Sequence, residues 1–276
     1  MVESYYAGND VGRKIRDALA EAVRINAFNK VKPYHPKESG RSYNGLNEPY
    51  FQLASFLAPL AHAYLIVRTG YPDDQQLLDD VKRWGDSLYA RTIDGKNSFR
   101  GKVRGVDRRA LHAHGYAHWG NATSNAKVLD NAFKYYKKGL LSVGRNGRDR
   151  IWRFWVKPGQ KRNLVYYPNM TYQALLSTAF VLHRSGYEDI YELAPKKGTI
   201  VDGVVWLWDR LEENPYDLMN TRHPGTRHVA WLEYFVHEFP DHPSAKKMRK
   251  WSESKYNSLY GGLSGGPLTC LYRIID

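Results

Sequence analysis

The feature that most limits the fold is a repeated pairing of helix-length segments. Pro49 to Arg68 is apolar almost all round and closes on Thr69 and Gly70. "PDDQQLLDDVKRWGDSLYART" follows as an amphipathic segment, with acidic residues at its start and Arg91 at its end, as a helix dipole prefers. The layout recurs in "ALHAHGYAHWGNATSN" with "AKVLDNAFKYYKKGLLSVG", in "PNMTYQALLSTAFVLHRSG" with "GTIVDGVVWLWDRLEEN", and in "RHVAWLEYFVHEFPDHP" with "SAKKMRKWSESKYNSLYGG". In the first and third pairs the leading helix is apolar nearly all round and its follower is more amphipathic. That is the pattern of an inner helix backed by an outer one. Hairpins of this kind stack into a ring or solenoid. The expectation is one all-α domain over residues 1–276, an incomplete (α/α) toroid. No run of alternating strands appears, although "DRIWRFWV", Asp149 to Val156, suits a short strand or an extended loop.

The segments between pairs are long for a compact helical domain: "DGKNSFRGKVRGVDRR", "RNGRDRIWRFWVKPGQKRNLVYYPN" and "NPYDLMNTRHPGTR". Long ordered loops tend to be functional. These are rich in Arg, Lys, Gly and Tyr, and are expected to gather over a cleft at one end of the inner helices. The chain holds 41 Lys and Arg against 28 Asp and Glu, a formal net charge of +13. Such a surplus steers polyanions into clefts. The basic residues are interleaved with Tyr and Trp rather than run together, which argues against a disordered nucleic-acid tail. Rings that stack on a sugar face, beside cations that pair with its carboxylate, suit an acidic polysaccharide. Single-stranded nucleic acid and a solubilising basic surface are the competing readings, and no nucleic-acid motif appears.

The one cysteine, Cys270, makes no internal disulfide, which speaks against a disulfide-built extracellular domain. No apolar run is long enough to span a membrane. "MVESYYAGND" lacks the apolar core of a signal peptide. The expectation is a periplasmic or secreted chain with its signal already removed, with the cytoplasm left open.

Three segments carry the candidate chemistry. The first holds Arg108, Arg109, His112, His114, Tyr116, His118, Trp119 and Asn121. On a helix, His114 and His118 share a face and Asn121 lies three residues beyond. Histidines at that spacing either pack with their nitrogens hydrogen-bonded or ligate zinc. No acidic residue from Ala110 to Asn125 completes a metal site, so no metal is expected. The second segment sets Arg162, Tyr166, Tyr167, Asn169 and Tyr172 at the start of an inner helix, with Pro168 near its first turn. Cations lower a phenol's pKa, and a tyrosinate is a competent base; an aromatic pair packing a loop is the alternative. The third sets Arg222 and Arg227 around a Pro-Gly turn, followed by His228 and Trp231. The arginines suit carboxylates in a fork, or pair with Glu233 and Glu238.

Over its C-terminal half the chain resembles the alginate lyase family, the mannuronate-cleaving α/α-toroid polysaccharide lyases. "HVAWLEYFVHEFP" is similar to that family's Ala-Trp-Leu-Glu-Pro-Tyr segment. "KRNLVYYPNMTYQALLSTAF" is similar to its Arg-x-Leu-x-Tyr-His segment, and "YGGLSGGPLTCLY" to its Gly-Gly-x-x-Thr tail. The resemblance puts the catalytic tyrosine at Tyr166. In "HAHGYAHW", His114 and Tyr116 match the His and Tyr of the family's Asn-Asn-His-x-Tyr-Trp motif, with Ala113 where the asparagine stands. A competing alignment sets "RALHAHGYA" on the family's Arg-Ala-Leu segment and moves the tyrosine role away from Tyr166. The family's arginine falls at Gly159, so Arg162, Lys157 or Arg153 takes its place.

The reaction so implied is metal-independent β-elimination on a uronate polymer, with no cofactor. A base removes the C5 proton and an acid protonates the departing O4, and hydrogen bonds to the carboxylate stabilise the enolate-like transition state. Tyr166 is expected as base and acid, with His114 as partner or alternative base, and Arg162 and Asn121 neutralising the carboxylate. Arg109, His118, Trp119, Tyr167, Asn169, Arg222, Arg227 and Trp231 are expected to hold flanking sugars. The chain is expected to act as a monomer, with no nucleic-acid partner. Two alternatives stand beside this. One is a binding protein for an acidic exopolysaccharide that has lost catalysis. The other is a ring-fold glycoside hydrolase, for which Asp107, Asp149 and Asp217 offer no obvious carboxylate pair.

Overall fold

The computed structural model describes residues 11–30, 49–93, 106–141, 163–195, 198–213, 229–255, 260–261 and 266–267. The elements in chain order are α1 (Gly12–Arg24), α2 (Pro49–Gly70), α3 (Gln75–Ile93), α4 (Val106–Ala122), α5 (Ala126–Leu140), α6 (Asn163–Arg184), a 3-10 turn (Glu188–Ile190), α7 (Ile200–Glu213), α8 (Trp231–Glu238), α9 (Pro243–Lys255), β1 (Tyr260–Gly261) and β2 (Gly266–Pro267). The two-residue strands pair antiparallel. The fold is all-α, as the sequence implies, and the four anticipated pairs are α2–α3, α4–α5, α6–α7 and α8–α9. The sequence reading did not anticipate α1, although Ile15 and Leu19 form its buried stripe.

Local chemistry explains the boundaries. Asn125 caps α5 by accepting from the Val128 amide. Thr199 and Asp202 form a reciprocal capping box that starts α7, each side chain accepting from the other's backbone N–H. Pro168 does not mark the first turn of α6. The helix begins at Asn163, so Pro168 and the two tyrosines before it lie inside. The ring costs only the bond its missing N–H would make to Leu164, close to an end where such donors go unpaired anyway. "DRIWRFWV" lies outside the described residues.

Contacts between leading helices fix their directions. α2 meets α4 at Ala54 and Gly115, at His62 and His118, and where Arg68 donates to the Ala122 carbonyl at 2.8 Å. α4 meets α6 at His118 and Ser177, and at Asn121 and Ser185. α6 meets α8 at Asn169 and Trp231, at Ser177 and Tyr234, and at Arg184 and Glu238. Residue numbers rise together in every pair, so α2, α4, α6 and α8 run parallel, side by side. α3 returns antiparallel behind α4: Tyr116 meets Thr92 and Trp119 meets Asp86. α1 runs with α3, tied by Arg16 to Asp74 at one end and by Arg91 to the Phe28 carbonyl at the other. Gly115 permits the close approach of α2 and α4, because a Cβ there would strike the Ala54 carbonyl oxygen.

Leu53, Leu57, Leu60, Leu111, Leu175 and Phe235 are buried in this layer. Each contributes roughly 1.5–3 kcal/mol by leaving water. No helix among the described residues is long and apolar enough to cross a membrane.

Candidate functional site

Parallel inner helices give the molecule two unlike ends. Short turns join α2 to α3, α4 to α5 and α8 to α9 at one end. Residues 31–48, 94–105, 142–162 and 214–228 lead into the N-termini of α2, α4, α6 and α8 at the other. These segments lie outside the described residues. Their sequences hold sixteen Lys and Arg against five Asp and Glu, so they carry +11 of the formal +13.

Four charged or aromatic candidates lie in the first turns of α4 and α6. Tyr166 and Tyr167 fall in the first two turns of α6, and their side chains lie outside the described residues. Arg109 is half-buried in the first turn of α4, and its positive field opposes the upward push that burial exerts on the Tyr135 phenol. Asp107, one turn into burial at the same end, has its carboxyl pushed up, chiefly by desolvation. Arg162, Arg222 and Arg227 lie outside the described residues, as do Asp149 and Asp217.

Deeper in the layer a row of polar side chains crosses all four inner helices. His62 Nε2 on α2 lies 3.1 Å from His118 Nδ1 on α4. His118 Nε2 lies 2.9 Å from Ser177 Oγ on α6. Ser177 donates to the Tyr234 hydroxyl on α8 at 3.1 Å. His114 stacks edge-on to His118, ring centroids 4.5 Å apart. Burial, helped by the nearby His62, pushes the His114 pKa down to about 3. Burial also holds His118 well below the ordinary histidine value, with His114 and His62 adding to the effect. Both rings are therefore neutral at neutral pH. Among the described residues, no cluster of three or more His, Cys, Asp or Glu is placed to hold a metal ion.

Several expected sugar contacts prove to be core. Trp119 is fully buried against α3, where its Nε1 donates to Asp86 at 2.9 Å. Trp231 is fully buried and donates from Nε1 to Asn169 Oδ1 at 2.7 Å, which also withdraws Asn169 from any ligand. An indole or amide committed to a buried partner presents no face to a sugar. Tyr172 packs into α7 at Gly203, and burial pushes its phenol up rather than down. Glu238 is paired with Arg184 and accepts from Tyr191, so it is not a partner held for Arg222 or Arg227. Asn121 is exposed at the short-turn end, 3.3 Å from Ser185. Ser185 is nineteen residues beyond Tyr166, about 28 Å along a helix axis. Asn121 therefore does not share a carboxylate with Tyr166.

The row was legible only in part. His118 stood out because its segment is crowded with polar groups. His62, Ser177 and Tyr234 sit in largely apolar helices without a motif around them, and only the neighbouring helix reveals their use. No family model matches the chain, and no curated protein matches it at a significant level.

Proposed function

We propose that the chain is a polysaccharide lyase that cleaves a uronate polymer by metal-independent β-elimination, a diverged relative of the mannuronate-type alginate lyases built as an incomplete (α/α) toroid. The observation that carries this reading is the concentration of +11 of the formal charge in the segments that enter the inner helices. A polyuronate carries one carboxylate per sugar, and a basic mouth attracts and orients it. Tyr166, in the first turn of α6, is the residue assigned to take the C5 proton and return it to O4. Arg109 and the arginines of the connecting segments, Arg162, Arg222 and Arg227, would pair with carboxylates. His114 and His118 are buried in the helix layer, and both His118 nitrogens are bonded to His62 and Ser177, so neither is assigned a sugar contact. A periplasmic or secreted location and a monomeric state belong to the same reading.

A second reading, a non-catalytic binder of an acidic exopolysaccharide, is favoured by one observation. His114, the resemblance's catalytic histidine, is fully buried, and Ala113 stands in place of the asparagine. Ultraviolet absorbance separates the two, because elimination leaves an absorbing C4–C5 double bond and hydrolysis does not. The chain is incubated with polymannuronate, polyguluronate, glucuronan and hyaluronan, each with and without EDTA. The lyase reading expects a rise on at least one polymer, unchanged by EDTA and abolished by Tyr166→Phe. A flat trace on all four, with retained binding and no new reducing ends, favours the binder instead.

A further inference from the structure

Among the described residues, four large apolar side chains stand exposed: Ile25, Phe28, Ile93 and Leu141. All four lie where an element runs out toward the start of the inner helices. Ile25 and Phe28 follow α1, Ile93 ends α3 and Leu141 follows α5. α3 and α1 run against α4, and α5 does too, with Gly120 against Leu129 and His112 stacked on Tyr135. The apolar exposure is gathered at one end rather than scattered singly.

Phe28 is the one aromatic ring of the four. Its φ is +65°, a left-handed conformation that a bulky residue rarely adopts. Two bonds from α3 hold the turn: Trp84 Nε1 donates to the Ala27 carbonyl at 3.0 Å, and Arg91 donates to the Phe28 carbonyl at 2.6 Å. The ring lies nearly parallel to Trp84, 11° apart with centroids at 6.4 Å, and tilts against Phe56 at 5.0 Å. These neighbours cover only part of it, and 42% of the residue stays open to solvent. Burial alone gives little reason to hold a wet ring on strained backbone, whereas strain of this kind collects where a ligand is clamped. The Arg91 guanidinium, bonded to Phe28's own carbonyl, sets a positive charge beside the turn. A uronate offers the matching pair: a ring face of C–H groups that stacks on an aromatic, and a carboxylate at its edge that a cation attracts.

We propose that Phe28 is a stacking platform for one uronate ring of an acidic polysaccharide, backed by Trp84 and set beside the charge of Arg91. The platform rests on the polyuronate reading above, and it holds whether the polymer is cleaved or only bound.

The test is calorimetric binding of polymannuronate, polyguluronate, glucuronan and hyaluronan to the full chain at low and high salt, in the Tyr166→Phe background for any polymer that is cleaved. Phe28→Leu keeps an apolar cover on Trp84 but has no flat face, and is expected to weaken binding about three- to tenfold. The factor should be the same at both salt concentrations, since stacking is not screened as an ion pair is. Phe28→Tyr keeps the ring and should keep wild-type affinity, which a residue serving only to pack would not require. Phe28→Gly removes the ring while suiting the positive φ, and should bind as weakly as Phe28→Leu. Wild-type affinity in both ring-less variants overturns the platform alone. So does a loss in Phe28→Tyr equal to that in Phe28→Leu. A wild-type dimer in sedimentation that Phe28→Leu dissociates makes the patch an interface between copies and also overturns it. No binding of wild type to any of the four polymers overturns the polyuronate reading itself, and the platform with it.

Discussion

The two faces of α4 put the same residue types to opposite uses. The face toward α3 and α5 commits each polar group to one fixed partner. Trp119 donates to Asp86, Tyr116 meets Thr92 at 2.9 Å, and the His112 ring is bonded to the Arg108 carbonyl and stacked on Tyr135. The face toward α2 and α6 carries His114 and His118, whose neighbours are other histidines and a hydroxyl. On the first face every bond has one direction. Thr92 donates to the Tyr89 carbonyl, so Tyr116 must donate to Thr92. On the second face the bonds are reversible in direction. Bonds of one fixed direction and bonds whose direction follows the histidine tautomer are therefore separated by a half-turn of one helix.

The largest expected effect falls on the rigid face. Trp119→Ala empties a fully buried indole site and removes the bond to Asp86, and should cost about 3–5 kcal/mol in chemical denaturation. A loss under 1 kcal/mol would mean that the two faces do not differ as described. Acid tests the other face. The folded His114 pKa near 3 lies below the unfolded 6.5, so the unfolded chain binds the proton first. Stability is full above about pH 6.5 and falls toward pH 3, by about 1.4 kcal/mol per pH unit from this residue alone. Between pH 6.5 and 5 that is about 2 kcal/mol, with His118 acting in the same direction. His114→Asn should flatten this acid limb by one proton. Tyr116→Phe should cost about 1 kcal/mol, because Thr92 keeps its bond to Tyr89. Asn121→Ala, exposed at the far end of α4, should stay within about 0.5 kcal/mol and leave any lyase activity unchanged. A large activity loss there would restore Asn121 to the site.

The helical pairs were readable because an apolar helix followed by an amphipathic one leaves a clear periodic trace. Their relative depth was not, since it depends on cross-helix contacts such as Gly115 against Ala54, which no single segment encodes. Trp119 and Trp231 were misassigned for a related reason. An indole suits a sugar platform and a core equally, and the deciding partners, Asp86 and Asn169, lie on other helices. Pro168 misled because proline at a helix start and proline just inside one look the same in sequence. Proline position placed the start of α6 five residues late. The basic concentration, by contrast, was visible in the sequence and became informative once it was seen to fall in the segments that precede the four inner helices.

The parallel layer also decides where such a chain can change in length. Between Gly115 and His118, α4 must keep its count of residues, since one inserted residue turns everything after it by about 100° and advances it about 1.5 Å. Such an insertion would swing His118 away from both His62 and Ser177 while the three neighbouring helices stayed in place. The same holds between Ala54 and His62 on α2. No such register is on view outside the helices, and segments between elements generally tolerate insertion and deletion. Descendants of this chain are therefore expected to differ in the size of their basic segments while keeping the spacing inside their helices to the residue.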